Sequence, residues 1–460
     1  MTSILPTNRG LDSEPLESLE DRIEAMTTGL APGVAIGIVQ DGKIVYETYA
    51  GYADLEHEVP VGPTTRFNIA SNAKQFTALC ILELEREGVL DLQDDIRIHL
   101  PELFPDHASF LTIAQLLDHS SGIRDVYDLW ALQGKTWWKH FLSNGDALEL
   151  LTAQRDFNFE PGSAHQYSNS NYLLLAEIIQ RVSGMPFDRY ADSVFQRLGL
   201  DETSFLANYM ESIPGRAHPY GNWSGWKRYP TITNLHGDGA LFTTLRDQLR
   251  WEQIIQRGET PGLSSELLAT SQSLVPDSDV ESYGFGLSFG NYRGFDYQFH
   301  EGNTGAYNAT FVRFPAERVA VVVMSNNSSI STHDLAREFA ASALGAPESS
   351  PAPSSPVVQA SSQASAKLEP ERLPEGYPAT IEGTFWNEET QTEIRIQHDR
   401  GNEYRVIKNG RDRAGTLVSR DLVRERSYAI HVERDDQGQT QSLRVDRDRI
   451  RNVRFTRRTR

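Results

Sequence analysis

The spacing of apolar residues changes several times along the chain, and each spacing predicts an element. Across residues 13–28 they recur at helical intervals, as in an amphipathic helix. Two strand-like runs follow at 34–39 and 43–49. Asp41-Gly42 between them is a hairpin signal, because both residues tolerate the positive φ of a tight turn. Beyond Phe67 the pattern turns helical. Ala73, Phe76, Cys80 and Leu84 form one stripe that stops at Gly88. Thr112 and Gln115 have capping-box spacing ahead of Leu116-Leu117, in a run ending at His119-Ser120-Ser121-Gly122. Residues 172–182 predict another helix, closed by Gly184 and Pro186. Strand signals return at 283–289, 295–300, 308–314 and 319–325. The last turn is Pro315-Ala316-Glu317-Arg318, and a helix over 333–344 ends the unit. Strands at both ends of a helical middle close most simply into one antiparallel sheet, an α+β fold.

The texture then changes twice. Residues 347–366 are rich in Ser, Pro and Ala with no periodicity, which reads as a linker. After it come short alternating runs at 384–386, 393–396, 404–406, 443–445 and 453–455, with turn pairs such as Asn409-Gly410 and Gln437-Gly438 between them. Strands at this spacing predict a small antiparallel barrel. The expected domains are therefore 1–346, a linker at 347–370, and a barrel at 371–460. No internal repeat is visible.

Composition narrows the picture. A net charge of −19 over 460 residues argues against a nucleic-acid surface. Residues 371–460 hold 19 basic and 16 acidic residues, a net of +3, which leaves −22 for the remainder. Two domains with different surfaces account for that contrast. Arginines alternating with apolar residues up to Arg460 fit the wet side of strands better than a nucleic-acid tail. The lone Cys80 lies on an apolar stripe and excludes an internal disulfide. None of the twelve histidines lies two, three or four residues from another, so helical zinc spacings are absent. Residues 1–20 have no apolar core of signal-peptide length, and no window reaches the length of a membrane helix. The expectation is a cytoplasmic protein with no membrane contact.

Three stretches carry candidate chemistry. Ser71 and Lys74 lie one helical turn apart, on one face. A serine hydroxyl becomes a strong nucleophile when a neighbouring base takes its proton, and a neutral lysine amine can do so. Ser-x-x-Lys should occur about twice by chance in a chain of this size. It does occur twice, but the copy at Ser224 is set among Gly221, Trp223, Gly225 and Trp226 and reads as loop. An N-cap serine with a solvated lysine also fits Ser71 and Lys74. Tyr167 and Asn169 precede the predicted helix near Tyr172. A tyrosine beside a cation can serve as a general base, and an asparagine can hold a lysine or a substrate amide. A surface tyrosine and a capping asparagine are the plainer reading. His300-Glu301-Gly302-Asn303 ends one strand signal before another. Glycine there lets a substrate approach backbone N–H groups, although a plain glycine-rich hairpin has the same sequence.

Ser71-x-x-Lys74, Tyr167-x-Asn169 and His300-x-Gly302, in that order, resemble the serine β-lactamase and penicillin-binding-protein superfamily. The class C β-lactamase-like branch, with its esterases, D-aminopeptidases and DD-peptidases, is the most similar. Leu116 to Ile123, Glu160-Pro161-Gly162, Leu198-Gly199-Leu200 and Gly237 to Leu241 extend the resemblance over about Gly33 to Leu344. The last domain resembles the lipocalin-like barrel attached to some of these peptidases. The resemblance implies a serine hydrolase that cleaves an ester or amide of a small molecule or short peptide, through an acyl-enzyme on Ser71. Lys74 and Tyr167 would share the base role. The N–H groups of Ser71 and Asn303 would form an oxyanion hole, and Asn169 would orient Lys74 and the substrate. No metal or organic cofactor is implied, and a homo-oligomer is compatible. His300 stands where many β-lactamases have a carboxylate-binding lysine, which favours an esterase or D-aminopeptidase over the alternative, a β-lactamase or DD-carboxypeptidase. Glu301 stands where smaller or polar residues are usual; it would repel acidic substrates or hold an amino group. A non-catalytic binding or assembly protein on the same fold is the alternative of another class.

Overall fold

The computed structural model describes residues 13–346 and 381–458. The linker expected at 347–370 lies outside the described residues.

The N-terminal hairpin and the late strands form one sheet. Its order is Ser288–Tyr292, Phe295–Thr304, Tyr307–Phe314, Val319–Ser325, Val34–Gln40, Lys43–Ala50, antiparallel throughout. Val34–Gln40 and Val319–Ser325 are central and almost wholly apolar, because both of their faces are covered. On one face Ile36, Val323 and Phe339 pack with Ile23, bringing in the helices Ser13–Met26 and Thr332–Ala343. On the other face the helix Leu245–Arg257 presses so close that a Cβ on Gly37 would stand 2.6 Å from Leu249 Cδ1.

The middle is mainly helical, with Lys74–Arg86 and Asn169–Ser183 packed against each other. It also carries a three-stranded patch of Phe67–Asn68, Leu241–Thr243 and Ser204–Phe205. Such short strands have too few residues for a period-2 signal. The start of helix Lys74–Arg86 is pinned to the sheet by a buried network. Arg313 pairs with Glu252 at 2.6 Å, Arg313 also donates to Gln75 Oε1 at 3.3 Å, and Trp251 donates to that same oxygen at 2.8 Å. Cys80 is fully buried on this helix, and burial pushes its thiol pKa up, so it carries no thiolate chemistry.

One strand expectation is corrected. Residues 283–289 are not a continuous strand: Tyr283 makes only a bridge to Ser288, and the strand proper is Ser288–Tyr292. Gly286, at φ +75°, passes so near the start of the helix Lys74–Arg86 that a Cβ there would lie 2.4 Å from the Gln75 nitrogen. The chain bends at Gly286 instead of continuing as a strand.

The C-terminal domain is a closed barrel of eight antiparallel strands, running from Gly383–Asn387 to Ile450–Arg457. Its interior is filled by side chains such as Phe385, Ile396, Leu443 and Phe455. The turn between Thr440–Arg447 and Ile450–Arg457 is seated in the first domain. Asn158 and Gln166 donate to the carbonyls of Arg449 and Asp448, and the Arg449 N–H donates to Asp128 at 2.8 Å. Beside it the buried Arg124 donates to Glu389 and to the carbonyls of Arg451 and Asn452. The barrel is thereby locked onto the same edge of the first domain that carries Tyr167.

Candidate active site

Ser71 lies in the short 3-10 turn Ala70–Ala73, which runs directly into the helix opening at Lys74. Ala70 holds φ +48°, a strained value for a residue with a Cβ, and its N–H is held by Asn68 Oδ1 at 2.8 Å. The serine is thus presented at a sharp bend. Lys74 is completely buried, and three acceptors surround its Nζ: Ser71 Oγ at 3.2 Å, Asn169 Oδ1 at 3.1 Å and the Asp238 carbonyl at 2.7 Å. As an ammonium the lysine satisfies all three. As an amine it keeps two N–H groups for Asn169 and Asp238 and turns its lone pair to the Ser71 hydroxyl.

Asp125 sets that geometry, and sequence reasoning missed it. Its buried carboxylate accepts from the Asn169 backbone N–H at 2.7 Å and from Asn169 Nδ2 at 2.9 Å. The amide nitrogen of Asn169 is therefore committed to Asp125, which leaves its oxygen for Lys74. Asp125 also caps helix Val126–Leu132, so an ordinary helix start would have masked it in the sequence. Next to it Tyr127 donates its hydroxyl to Asp238 Oδ2 at 3.0 Å, and burial raises the pKa of that carboxyl.

Tyr167 lies in the same cavity, with the Lys74 amine 5.0 Å from its ring centroid. Its hydroxyl is buried and has no hydrogen-bond partner among the described residues, so it bonds neither Ser71 nor Lys74. An unpaired buried hydroxyl at a cavity wall is free to bond an incoming group. Behind it the ring of His119, at φ +64°, packs 4.3 Å away, centroid to centroid.

The strand Phe295–Thr304 brings the third motif over the serine. Its partner Ser288–Tyr292 ends opposite Phe299, so the edge of 300–304 lies open on that side. A Cβ on Gly302 would stand 2.3 Å from the Ile69 carbonyl oxygen and 3.1 Å from the Ser71 nitrogen. Only glycine permits that approach. Asn303 follows on the same open edge and donates its side-chain amide to Asn308 at 2.5 Å. Glu301 lines the cavity, 3.0 Å from His333 Nδ1.

His300 is buried and neutral. Its Nδ1–H donates to the Glu301 carbonyl at 2.8 Å, so Nε2 accepts from the Tyr283 hydroxyl at 2.9 Å. Burial, and then the Lys74 charge, push its pKa from 6.5 down to about 4. It therefore offers no cation to a substrate carboxylate at neutral pH. The sign of its effect on stability follows. Between about pH 4 and 6.5 the unfolded chain binds a proton here that the fold does not. This contribution is fully present above 6.5 and is lost as pH falls through about 4, with an upper limit of about 3 kcal/mol. His300→Asn is expected to flatten the fall in Tm over that pH interval, measured against wild type. An unchanged slope would remove His300 from the account.

The cavity these residues line measures about 730 Å³. Two arginines line it, Arg216 and, from the barrel, Arg449, whose guanidinium carbon lies 4.9 Å from the Tyr167 ring centroid and whose Nη1 lies 3.6 Å from Asp125 Oδ2. Nothing in the sequence marked Arg449, which lies 378 residues beyond Ser71 on an alternating strand pattern. The second Ser-x-x-Lys, at Ser224, is the exposed turn of the hairpin between Tyr220–Asn222 and Trp226–Arg228, away from these groups.

A family model described as Beta-lactamase matches residues 19–345. A D-aminopeptidase of Gluconobacter oxydans is 28% identical over 391 residues, covering 83% of this chain and 69% of that protein. A D-aminopeptidase of Cereibacter sphaeroides is 30% identical over 343 residues, covering 73% of this chain and 64% of that protein. The chain thus spans only about two thirds of these relatives' lengths. Among solved structures, the octameric penicillin-binding protein homologue from Pyrococcus abyssi superposes with a TM-score of 0.65 at 21% identity, over 97% of this chain and all of that one.

Proposed function

The chain belongs to the β-lactamase family of serine hydrolases, and from that premise we propose that it cleaves the amide bond after the first, D-configured residue of short peptides and amides. The observation that carries the reading is the contact set of Lys74, which joins Ser71 to Asn169 and Asp238 in one buried cluster beneath the open edge at Gly302. Ser71 Oγ attacks the carbonyl carbon while neutral Lys74 takes its proton. The oxyanion is received by the N–H groups of Ser71 and Asn303. Tyr167 relays the proton to the departing amine, and water then attacks the ester on Ser71 by the same route in reverse.

The charges around the cavity orient the substrate. Glu301 lies beside Gly302, suited to the α-ammonium of the first residue. Arg449 lies over Tyr167 on the leaving-group side, suited to the carboxylate of a departing amino acid. D-aminopeptidase activity in two relatives supports the first contact. Arg449 also favours a second reading, a DD-carboxypeptidase, in which the terminal carboxylate is the anchor and the amino end is blocked.

The deciding measurement compares D-alanyl-D-alanine with its N-acetyl and C-amide forms. Under the first reading the N-acetyl form is cleaved at least about tenfold more slowly. Faster cleavage of the N-acetyl form would transfer the assignment to a carboxypeptidase, and equal cleavage of the L,L-dipeptide would remove the stereochemical claim. Arg449→Met is expected to raise KM for the free dipeptide by about tenfold and to leave D-alanine p-nitroanilide, which has no carboxylate, within about threefold. Equal effects on both substrates would sink the role of Arg449. A homo-oligomer is part of the proposal, supported by the octameric description of the Pyrococcus homologue. Light scattering at the mass of one chain would contradict it.

A further inference from the structure

A second cavity, of about 400 Å³, lies between the first domain and the barrel. On one side its wall is aromatic, built from Trp130, Trp137 and Trp138. On the other it is charged. Among the described residues that line it, six are Lys or Arg and only two are Asp or Glu. Both carboxylates are already engaged. Glu425 lies 3.6 Å from Arg413, while Asp128 lies 3.3 Å from Arg447 Nε and also accepts the Arg449 N–H.

Two cationic groups are left incompletely served. Lys408 rests its Nζ 3.3 Å from the Tyr428 ring centroid, and among the described residues no carboxylate comes within ion-pair distance of it. Arg447 donates through Nη1 to the Tyr428 hydroxyl at 2.9 Å, and its buried Nε, 3.3 Å from Asp128 Oδ1, makes no hydrogen bond among the described residues. Burial, together with Arg447 and Arg413 and against the attraction of Glu425, brings the Lys408 pKa down to about 7. An anion placed here would restore a full charge to Lys408 and bond Arg447.

We propose that this cavity binds a small aromatic carboxylate, with its ring against the tryptophan wall and its carboxylate on Lys408 and Arg447. The volume is that of a ligand pocket for a molecule of this class. Aromatic walls with a convergent pair of cations discriminate on both features, since a neutral ring leaves the cations unpaired and a bare anion leaves the wall wet. The site shares Tyr127 and Trp137 with the wall of the Ser71 cavity, but its two cations, Lys408 and Arg447, line this cavity alone.

The test is isothermal titration calorimetry of the full chain with 3-phenylpropionate, and with the neutral 3-phenylpropanol as its control. One site per chain with Kd below about 1 mM is expected, and binding of the alcohol should be at least about tenfold weaker. Lys408→Met and Lys408→Glu should each weaken the acid by at least about tenfold, while Lys408→Arg should keep it within about threefold. The methionine variant adds no buried carboxylate and guards against simple misfolding. Arg449→Met removes a cation that lines the Ser71 cavity and not this one, and should leave binding unchanged. The proposal is overturned by absence of binding up to about 10 mM, by equal affinity for acid and alcohol, by retained affinity in Lys408→Met, or by loss in Arg449→Met.

Discussion

Replacing Ser71 by alanine is expected to lower kcat on D-alanine p-nitroanilide by about 10⁴-fold or more, and Lys74→Met by a similar factor. The double variant should be no worse than either single one. A nucleophile and the base that takes its proton act as one unit, so removing the second partner of a broken pair costs nothing further. The two substitutions differ in stability, and this separates a chemical role from a structural one. Ser71→Ala deletes one of three acceptors around Lys74 Nζ and leaves the other two in place. Its Tm should stay close to wild type. Lys74→Met leaves Asn169 Oδ1 and the Asp238 carbonyl buried without their donor, at about 1–3 kcal/mol each. Steady-state rates and melting curves on the same three proteins check both halves. Multiplying losses in the double variant would mean that Ser71 and Lys74 act separately, and unchanged rates in Ser71→Ala would remove it as the nucleophile.

The parts of this site that were legible in the sequence are those whose chemistry lies in neighbouring residues. Ser71 and Lys74 share a helical turn, so spacing alone places them on one face. Tyr167 and Asn169 stand at a helix start, and Gly302 stands between strand signals. The sheet was legible too, because strand-like runs bracket a helical middle and the simplest antiparallel closure joins them. What spacing could not reveal is work done from the opposite side of a contact. Asp125 fixes the orientation of Asn169 from 44 residues away, while reading locally as a helix cap. Arg449 reaches the cavity from a turn of another domain, one of several arginines that alternate with other residues along 444–451. Its placement depends on how the turn 448–449 docks against Asn158 and Gln166, which no local pattern encodes. The break at Gly284 and Gly286 was hidden for a related reason. Tyr283, Phe285 and Leu287 alternate as in a strand, but of the intervening glycines Gly284 closes against the Ser273 carbonyl and Gly286 against the start of the helix Lys74–Arg86.

The same close approach makes Gly302 the residue whose smallest possible change should have the largest effect without touching a reacting group. Gly302→Ala is expected to reduce kcat/KM by about 10²-fold or more while the protein still folds. The added methyl would lie 2.3 Å from the Ile69 carbonyl oxygen and 3.0 Å from Ala70 Cβ. Neither neighbour can swing away, since one is backbone and the other belongs to the strained turn that presents Ser71. The strand must therefore retreat from the turn by several tenths of an ångström or the turn must open. Under the proposed mechanism either motion would separate the Asn303 N–H from the Ser71 N–H, so that the two would no longer converge on one oxygen. The cost in stability is that of an overpacked site, about 1–3 kcal/mol, well short of unfolding a chain with so large a core. Asn303→Ala is the matched control, because it alters the side chain bonded to Asn308 and spares the backbone N–H. It should stay within about threefold of wild type once stability is accounted for. Phosphonylation of Ser71 by a p-nitrophenyl phosphonate, with release of p-nitrophenolate, reads the same geometry in one turnover, and Gly302→Ala should slow it as steeply as it slows hydrolysis. Full labelling speed in Gly302→Ala would show that the close contact serves packing alone, and a large loss in Asn303→Ala would move the role from the backbone of this edge to its side chain.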